Sequence, residues 1–316
     1  MCESKEIPLA VIAGPTASGK TALAVELALC LGGEIVSADS MQIYREMEIA
    51  TAKPSIQERC GVPHHLMDFL PPEKTYSVAE YVQDAKSCIA EIAARGKLPI
   101  LTGGTGLYIQ SVIDNIEFAP VEADETLREQ LAEVARCHGG ESLLEMLKEF
   151  DPEMAEKLHP NNLGRIIRAI EVYRVTGMTM SESLRRSREH PSPYRTRMIL
   201  LNFEDRGVLY NRINRRVDIM MERGLVEEAR QMYQRRASLS TTALQAIGYK
   251  ELFPYFAGLT ELDIAVERMK METRRYAKRQ ISWFKRDTRY HSLFVDKLRD
   301  FDYIRRQAEK YLQVLL

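Results

Sequence analysis

The sequence lacks the features typical of secreted and membrane-spanning proteins. Its five cysteines stand far apart and include no CxxC pair. This argues against a disulfide framework and a zinc site, and predicts reduced, mostly buried thiols. No apolar run approaches the roughly 18 residues that a membrane-spanning helix requires. The first apolar stretch, 7–13, follows acidic residues where a secretory signal would be basic. We therefore expect a cytoplasmic protein.

An excess of charge of one sign is also missing, because 44 basic and 45 acidic residues give a net charge of -1. The balance is uneven along the chain. Nine basic residues oppose two acidic ones between 268 and 289, and eight arginines oppose three glutamates between 165 and 197. Two basic zones in a near-neutral chain suggest a polyanionic partner. Taken alone, each zone favours the simpler interpretation of a solvated helix face.

Histidines are few, and the adjacent pair His64 and His65 is the only cluster that could resemble a metal site. Neighbouring side chains point in different directions, and no second cluster of ligands stands nearby in the sequence. We interpret the pair as loop or core histidines. Apolar residues make up 45% of the chain and charged residues 28%, as in an ordinary globular protein.

A glycine-rich motif between a strand-like and a helix-like segment indicates phosphate binding. It fits the pattern G-x-x-x-x-G-K-[ST] and consists of Gly14, Pro15, Thr16, Ala17, Ser18, Gly19, Lys20 and Thr21. In such a P-loop, successive backbone N–H groups and the positive end of the next helix face phosphate oxygens. Lys20 would neutralise the outer phosphate, and the Thr21 hydroxyl would hold magnesium. The motif predicts a diphosphate or triphosphate ligand without saying which.

The alternation of apolar runs and helical patterns predicts an α/β fold with a parallel sheet and crossover helices. Strands are expected at 7–13, 34–38 and 98–102, with helices at 21–31 and 77–95 between them. Helical patterns then take over at 125–138, 142–149, 163–175 and 181–188. A strand returns at 198–203, and long helices are expected from there to the end. We predict a P-loop NTPase-like core at 1–118 and 198–316, with an all-helical insertion domain at 119–197.

Two further segments are expected at the carboxyl ends of strands, where ligands gather in parallel sheets. Asp39 follows the second strand and precedes Ser40, Met41 and Gln42. By itself, Asp39 is as well suited to supporting a metal as to acting as a general base. Thr105 lies in a glycine-rich turn after the third strand. Tight packing explains such a turn about as well as contact with a substrate.

Arginines with helical spacing provide two candidate anion sites. Arg212 and Arg216 are four residues apart, so they are neighbours on a helix face and suit a diphosphate. A solvated face explains them equally well. Later in the chain, one stripe consists of Arg268, Arg275, Arg279 and Arg286, and an apolar line one residue on consists of Met269, Tyr276 and Trp283. The stripe suits a nucleic-acid backbone, whereas Trp283 is more simply a core anchor than a base-stacking platform.

Together these residues resemble the tRNA dimethylallyltransferase family in its compact bacterial form. The matching segments, in order, are 14–21 (GPTASGKT), 39–45 (DSMQIYR), 102–108 (TGGTGLY), 165–171 (RIIRAIE), 245–251 (QAIGYKE) and 273–280 (TRRYAKRQ). The resemblance implies a P-loop α/β core with a helical insertion. It also implies transfer of dimethylallyl from its diphosphate to the exocyclic amine of the adenosine immediately 3′ of the anticodon. The target tRNAs would be those reading codons that begin with U.

The resemblance assigns roles to individual residues. Asp39 is expected to be the catalytic base, with Thr105 helping to place the amine or a diphosphate oxygen. The P-loop with its catalytic Lys20, Mg²⁺ at Thr21 and Arg212 or Arg216 are expected to hold the diphosphate. Contacts to the tRNA anticodon stem-loop are expected from Asp39, Ser40, Met41, Gln42, Thr105, Arg128, Gly164, Arg165, Ile166, Ile167, Arg168, Gln245, Arg275 and Arg279. Nothing in the sequence demands more than a monomer.

Two other functions fit part of this pattern. A P-loop kinase acting on a nucleoside or small metabolite would explain the phosphate motif and a helical lid, but not the basic zones. An RNA-binding module whose P-loop only senses nucleotide would explain the basic zones, but would leave Asp39 and Thr105 without a role.

Overall fold

A computed structural model of the chain describes residues 6–118, 124–187, 189–298 and 300–316. The chain divides into two compact units. Unit 1 comprises Met1–Ile113 with Pro193–Leu316, and unit 2 comprises Asp114–Ser192. The sequence had placed the insertion at 119–197, so the chain leaves and rejoins unit 1 a few residues earlier than we expected.

Unit 1 contains a parallel sheet with the strand order β3-β2-β4-β1-β5-β6. The strands of the described residues are β1 (Ile7–Ala13), β2 (Gly33–Ser37), β3 (His64–His65), β4 (Leu98–Gly103), β5 (Tyr194–Asn202) and β6 (Tyr290–Phe294). This confirms the α/β class. Since β1, β2 and β4 are adjacent and parallel, the segments that follow them meet at one edge of the sheet.

Helices connect the strands and make up unit 2. Those of unit 1 are α1 (Lys20–Leu31), α2 (Ile56–Arg59), α3 (Val78–Ala94), α4 (Gly106–Ile113), α10 (Arg206–Glu222), α11 (Leu225–Gln234), α12 (Thr241–Leu244), α13 (Tyr249–Phe256), α14 (Leu262–Phe284) and α15 (Phe301–Leu312). Those of unit 2 are α5 (Glu125–His138), α6 (Gly140–Lys148), α7 (Pro152–Lys157), α8 (Leu163–Thr176) and α9 (Met180–Arg186). Among the described residues, none of these helices has the length and apolarity needed to cross a membrane.

The sheet differs from the sequence expectation at its β5–β6 side. The strand expected at 198–203 begins at Tyr194, because Tyr194 to Arg197 continue the ladder with β1. The expectation of helices from there to the end was wrong, since β6 pairs in parallel with β5. This five-residue edge strand has three exposed side chains, so it lacks the apolar run that marks a buried strand.

The core of unit 1 explains why the phosphate-binding end of the sheet is rigid. Residues Leu9 to Ala13 of β1 are fully buried, and each large apolar side chain buried in this way contributes roughly 1.5–3 kcal/mol. Helices α1 and α15 pack on this region through Leu23, Leu27 and Leu312. A second cluster joins the segment after β2 to α10–α14, and a third joins α10 to α14.

Unit 2 has a core of its own, formed by apolar side chains of α5 to α9. The first helix of this unit has the bounds that the sequence predicted, 125–138, because Asp124 caps its first turn by accepting from Leu127 N at 2.9 Å. Asp151 is buried and accepts from Met154 N at 3.1 Å and from Ser181 N at 2.9 Å, which caps α7 and ties the start of α9 to it.

Two expectations about cysteine and histidine need comment. Among the four cysteines that the structure describes, Cys30, Cys60 and Cys137 are exposed and Cys88 is half-buried, so the prediction of mostly buried thiols was wrong for them. The exposed three lie on outward faces of helices or at a helix end, and Cys2 lies outside the described residues. His64 and His65 form the edge strand β3, where His65 Nε2 lies 2.7 Å from Glu34 Oε2. Within the described residues, no group of three or more His, Cys, Asp or Glu could hold a metal.

Candidate active site

The P-loop connects β1 to α1 at the carboxyl end of a central strand of the sheet. Gly19, the last residue before α1, has a left-handed conformation with φ 94°, which a residue with a side chain adopts only with strain. Within the loop, Ser18 N donates to Pro15 O at 3.3 Å. The Ser18 side chain is buried, and its hydroxyl has no hydrogen-bond partner among the described residues. A buried orphan hydroxyl beside a helix N-terminus fits a loop that acquires its partners from a bound anion.

Lys20 is the first residue of α1, and no carboxylate among the residues that the structure describes forms an ion pair with it. Its ammonium donates to Pro15 O at 2.7 Å. Burial lowers the pKa of Lys20 from 10.5 to about 7, and Arg216 lowers it in the same direction, while Asp39 opposes both. The cost of burying this charge indicates that the site is built to receive an anion.

Helix α10 brings two arginines to the P-loop. Arg212 Nε donates to Ala17 O at 2.9 Å, and its guanidinium stacks on Phe203 at 5.6 Å from the ring centre. Burial lowers the pKa of Arg216, while the charges of Asp39 and Glu58 raise it. Both arginines of the predicted pair therefore lie near the P-loop, with Arg216 on the side that faces Asp39.

Asp39 and Thr105 are held together at the ends of β2 and β4. Asp39 Oδ1 accepts from Met41 N at 2.9 Å and Gln42 N at 3.3 Å, which sets the carboxylate at the start of a tight turn. Thr105 N donates to Ala38 O at 3.1 Å, and Thr105 Oγ1 accepts from Ser40 N at 3.0 Å. These backbone contacts leave little freedom for either group.

The segment after Asp39 is anchored to the helices α11 to α13. Gln42 Nε2 donates to Thr51 O at 3.1 Å and Ala52 O at 3.3 Å, so its amide closes its own loop. Ile43, Tyr44 and Met47 are buried in the same cluster as Ala243 and Ala246, which flank the exposed Gln245. The structure thus brings together two segments, 40–42 and 245, that the sequence analysis assigned to RNA contacts.

Sequence reasoning missed the carboxylate that holds this loop in place. Glu228 accepts from the N–H groups of Glu48, Ile49 and Ala50 at 2.9, 2.7 and 2.9 Å, and from the Tyr249 hydroxyl at 2.8 Å. Glu228 lies in an ordinary amphipathic helix with another glutamate beside it. No local pattern distinguishes it, because its three backbone partners are about 180 residues away in the chain.

Residues of α14 were also missed, although they fall in the segment 273–280. Gln280 is buried and bonds both the P-loop and the turn that carries Thr105. Burial raises the pKa of the Tyr276 hydroxyl well above its ordinary range, against the lowering effect of the nearby Thr105 and Gln280 side chains. Spacing could have signalled this pair, because positions 276 and 280 share a helix face.

Comparison with known proteins supports a single family. The family model described as IPP transferase matches residues 42–287, and the one described as isopentenyl transferase matches residues 7–68. A tRNA dimethylallyltransferase of a Thermoanaerobacter species is 47% identical over 307 residues, which are 97% of this chain and 98% of the relative. One from Geobacillus thermodenitrificans is 50% identical over 277 residues, covering 88% of this chain and 87% of the relative.

The chain belongs to the tRNA dimethylallyltransferase family. Solved structures agree: the tRNA isopentenylpyrophosphate transferase of Bacillus halodurans is 41% identical with a TM-score of 0.73, covering 98% of this chain and 97% of its own. A eukaryotic dimethylallyltransferase acting on tRNA is 30% identical with a TM-score of 0.79, covering 95% of this chain and 77% of its own. The protein is therefore an enzyme of this family, and neither the kinase nor the nucleotide-sensing RNA-binding interpretation is favoured.

In this family member, unit 2 holds two candidate RNA-binding arginines on one buried carboxylate. Arg128 Nε and Nη2 donate to the two oxygens of Glu171 at 2.8 and 3.0 Å, and Arg168 Nη1 donates to Glu171 Oε2 at 2.5 Å. Burial alone would raise the pKa of Glu171, but the two arginines hold it below its ordinary value. These hydrogen bonds hold both guanidinium groups in one orientation. The side chains of Arg128 and Arg168 remain about one third exposed, at 35% and 37%.

The other residues of unit 2 that we predicted to contact RNA differ in their exposure to solvent. Gly164 and Arg165 are exposed in the first turn of α8, and Ile167 is half-buried. Ile166 is fully buried in the core of the unit, and its N–H donates to Asn162 O at 3.1 Å. Packing accounts for the Ile166 side chain, and contact of this residue with RNA stays a prediction.

The arginine stripe is shorter than its spacing suggested. Arg268, Arg275 and Arg279 are exposed on α14, but the helix ends at Phe284, so Arg286 lies beyond it. Arg275 pairs with Glu272 at 2.7 Å on the surface, where such a pair contributes little. On the inner side Met269 is buried, and Trp283 is half-buried against Gly106.

The lowered pKa of Lys20 makes diphosphate binding dependent on pH. Above pH 7 the free enzyme holds Lys20 largely neutral, and a bound anion restores its proton. When inorganic diphosphate binds at pH 8, we expect the wild-type protein to take up a larger number of protons than the Lys20→Arg variant. The difference should be close to one proton per bound diphosphate. Calorimetry in buffers of different ionisation enthalpy measures this. Equal uptake in the two proteins would contradict the prediction.

Proposed function

We propose that the enzyme transfers a dimethylallyl group from dimethylallyl diphosphate to the exocyclic amine of the adenosine immediately 3′ of the anticodon, and releases diphosphate. The substrates are tRNAs that read codons beginning with U. The observation that best supports this proposal is the placement of Asp39 and of Thr105, which accepts from the N–H of the adjacent Ser40, near a P-loop that contains Lys20 and has Arg212 and Arg216 of α10 beside it. The names of the relatives specify the group transferred and the type of RNA.

The P-loop side of the site stabilises the leaving group. As the allylic carbon–oxygen bond breaks, its electron pair goes to the diphosphate oxygen, where negative charge grows. Lys20, Arg212, Arg216 and the loop N–H groups surround the place where that charge develops. Preorganised electrostatic stabilisation of this kind is usually the largest catalytic term.

The Asp39 side of the site accepts the proton. The adenine amine is a weak nucleophile because its lone pair is delocalised into the ring. When its nitrogen bonds to the allylic carbon it must lose a proton, and a positioned base is worth roughly 10²–10⁴-fold. Asp39 is suited to this task because the N–H groups of Met41 and Gln42 orient its carboxylate. Thr105 places the amine against it.

The target adenosine reaches this site by leaving the base stack. Flipping a base costs a few kcal/mol, least in a single-stranded loop. Contacts from the segment 40–42 and from Gln245 offset that cost and read neighbouring bases. Arg128 and the exposed part of the segment 164–168 bind the RNA backbone with Arg275 and Arg279. All the proposed reacting groups come from one chain, so we propose that the enzyme acts as a monomer. We also propose that it acts in the cytoplasm.

The site also suits Mg²⁺. The ion prefers hydroxyl, carboxylate and phosphate oxygens and keeps several waters, and the orphan hydroxyl of Ser18 and the hydroxyl of Thr21 stand at the P-loop. Thr21 would hold the ion against the diphosphate. When bound, the ion would neutralise part of the charge on the leaving group. The transfer of the amine proton does not involve the ion, so Asp39 is free to act as the base.

The proposed reaction is tested by product analysis. The enzyme is mixed with magnesium, dimethylallyl diphosphate and an unmodified anticodon stem-loop that carries the adenine run, and the nucleosides are weighed by mass spectrometry. We expect dimethylallyl-adenosine, and none when the target adenosine is replaced by guanosine. Absence of prenylated product, with ATP consumed when ATP is supplied in a parallel reaction, would overturn the proposal.

Replacing Asp39 by asparagine tests the assignment of the base. An amide oxygen at the same place keeps both backbone bonds but cannot take a proton. We expect single-turnover rates at least a hundredfold lower, with stem-loop affinity within about threefold of wild type. The surface variant Glu227→Gln is the control and should react normally. Normal turnover with a large loss of RNA affinity would remove Asp39 as the base.

Charge reversal on α14 tests the RNA-backbone contact. In Arg275→Glu/Arg279→Glu, tRNA affinity should fall, and the slope of log K against log salt should flatten by about 1 to 2, because two phosphate contacts are lost. Filter binding between 50 and 200 mM salt measures both, using the Asp39→Asn enzyme. The control is the double variant Lys297→Glu/Arg306→Glu, which changes the net charge by the same amount at positions outside α14. An identical slope in the two double variants would show that the stripe does not contact tRNA.

A further inference from the structure

Gln280 is the one buried side chain of α14 that bonds both halves of the site. Its Oε1 accepts from Thr16 N of the P-loop at 2.9 Å. Its Nε2 donates to Gly104 O, next to Thr105, at 3.0 Å. The residue is 5% exposed, so water does not readily replace either bond.

The surroundings of Gln280 are shaped to admit this amide. A Cβ on Gly104 would lie 2.2 Å from Gln280 Nε2, so only glycine lets the turn approach so closely. One turn earlier on the same helix, the Tyr276 hydroxyl interacts with the Thr105 and Gln280 side chains. Gln280 therefore has neighbours on both sides, Gly104 in the turn and Tyr276 on its own helix.

Helix α14 presents Gln280 from a rigid support. The neighbouring residues Ala277 and Ile281 are buried in a cluster with Leu209 and Ile213 of α10, the helix that carries Arg212 and Arg216. Movement of α14 would therefore disturb the arginines as well as the amide. A side chain held so firmly transmits position between its two partners.

A chain of hydrogen bonds follows from these contacts. It runs from the P-loop at Thr16 through Gln280 to Gly104, and from the adjoining Thr105 to Ser40 and the Asp39 turn. The P-loop is expected to hold the leaving group, and Asp39 and Thr105 the attacking amine. The amide of Gln280 links the two through a single side chain.

We infer that Gln280 is a positioning residue, which sets the distance between the diphosphate and the attacking amine. The inference rests on the proposed prenyl transfer. Gln280 touches no reacting atom and acts through Thr16 and Thr105. Errors of about 1 Å in the placement of reacting groups lower rates by up to 10²-fold, so its loss should appear in the chemical step more than in binding.

The first test is Gln280→Met, which keeps the length of the side chain but makes neither hydrogen bond. At saturating dimethylallyl diphosphate and stem-loop, we expect a single-turnover rate 30- to 100-fold below wild type. The dissociation constants of inorganic diphosphate and RNA should change less than threefold. Gln231→Met, at an exposed position of α11, should match wild type. A rate within threefold of wild type, or a loss recovered at higher diphosphate-donor concentration, would overturn the inference.

The second variant, Gln280→Glu, gives a readout that a merely structural role would not move. Its carboxylate can still accept from Thr16 N but cannot donate to Gly104 O. Protonation restores the donor, so the ratio of wild-type to variant rates should fall as the pH is lowered from 8 to 6. A constant ratio would contradict positioning through Gly104, and this variant decides the question if Gln280→Met does not fold. Absence of product from the wild type would instead refute prenyl transfer itself.

Discussion

The parallel register of β1, β2 and β4 determines where the P-loop, Asp39 and Thr105 lie. Gly33 to Ser37 pair with Leu98 to Thr102, and Ala10 to Ala13 with Ile100 to Gly103, so the three strands end at nearly the same level. The P-loop, Asp39 and Thr105 each follow one of those ends. A shift of one strand by a residue would turn its buried side chains outward, and the buried core of β1 opposes such a shift.

Around that edge the protein concentrates positive charge at some cost to itself. Lys20 and Arg216 are partly removed from water near each other, and their pKa values are lowered as a result. In the free enzyme this arrangement is unfavourable, and a bound anion relieves it. Negative charge is used elsewhere to organise the scaffold. Glu228 accepts hydrogen bonds from loop N–H groups, and Glu171 accepts them from arginines. Charge thus serves ligand binding at the P-loop and organisation elsewhere.

The parts of the fold and site that could be predicted from the sequence are those encoded locally. The P-loop follows from residue types at fixed spacing, β1 and α5 from their apolar patterns and caps, and Asp39 and Thr105 from their position after apolar runs. β6 was missed because a five-residue edge strand carries a weak pattern. The exposed cysteines were mistaken for buried ones because burial of a small residue depends on which face of its helix packs.

The α/β class, the phosphate loop and the candidate base and hydroxyl could be predicted without a structure, because each rests on residues close together in the chain. Which groups meet across long separations depends on how the whole chain packs. Gln280 bonds Thr16 across 264 residues, Glu228 bonds Ile49 across 179, and Arg212 bonds Ala17 across 195. No periodicity encodes such pairs, since each arises from the packing of whole helices onto the sheet, and a single side chain reveals its partner only when that packing is complete.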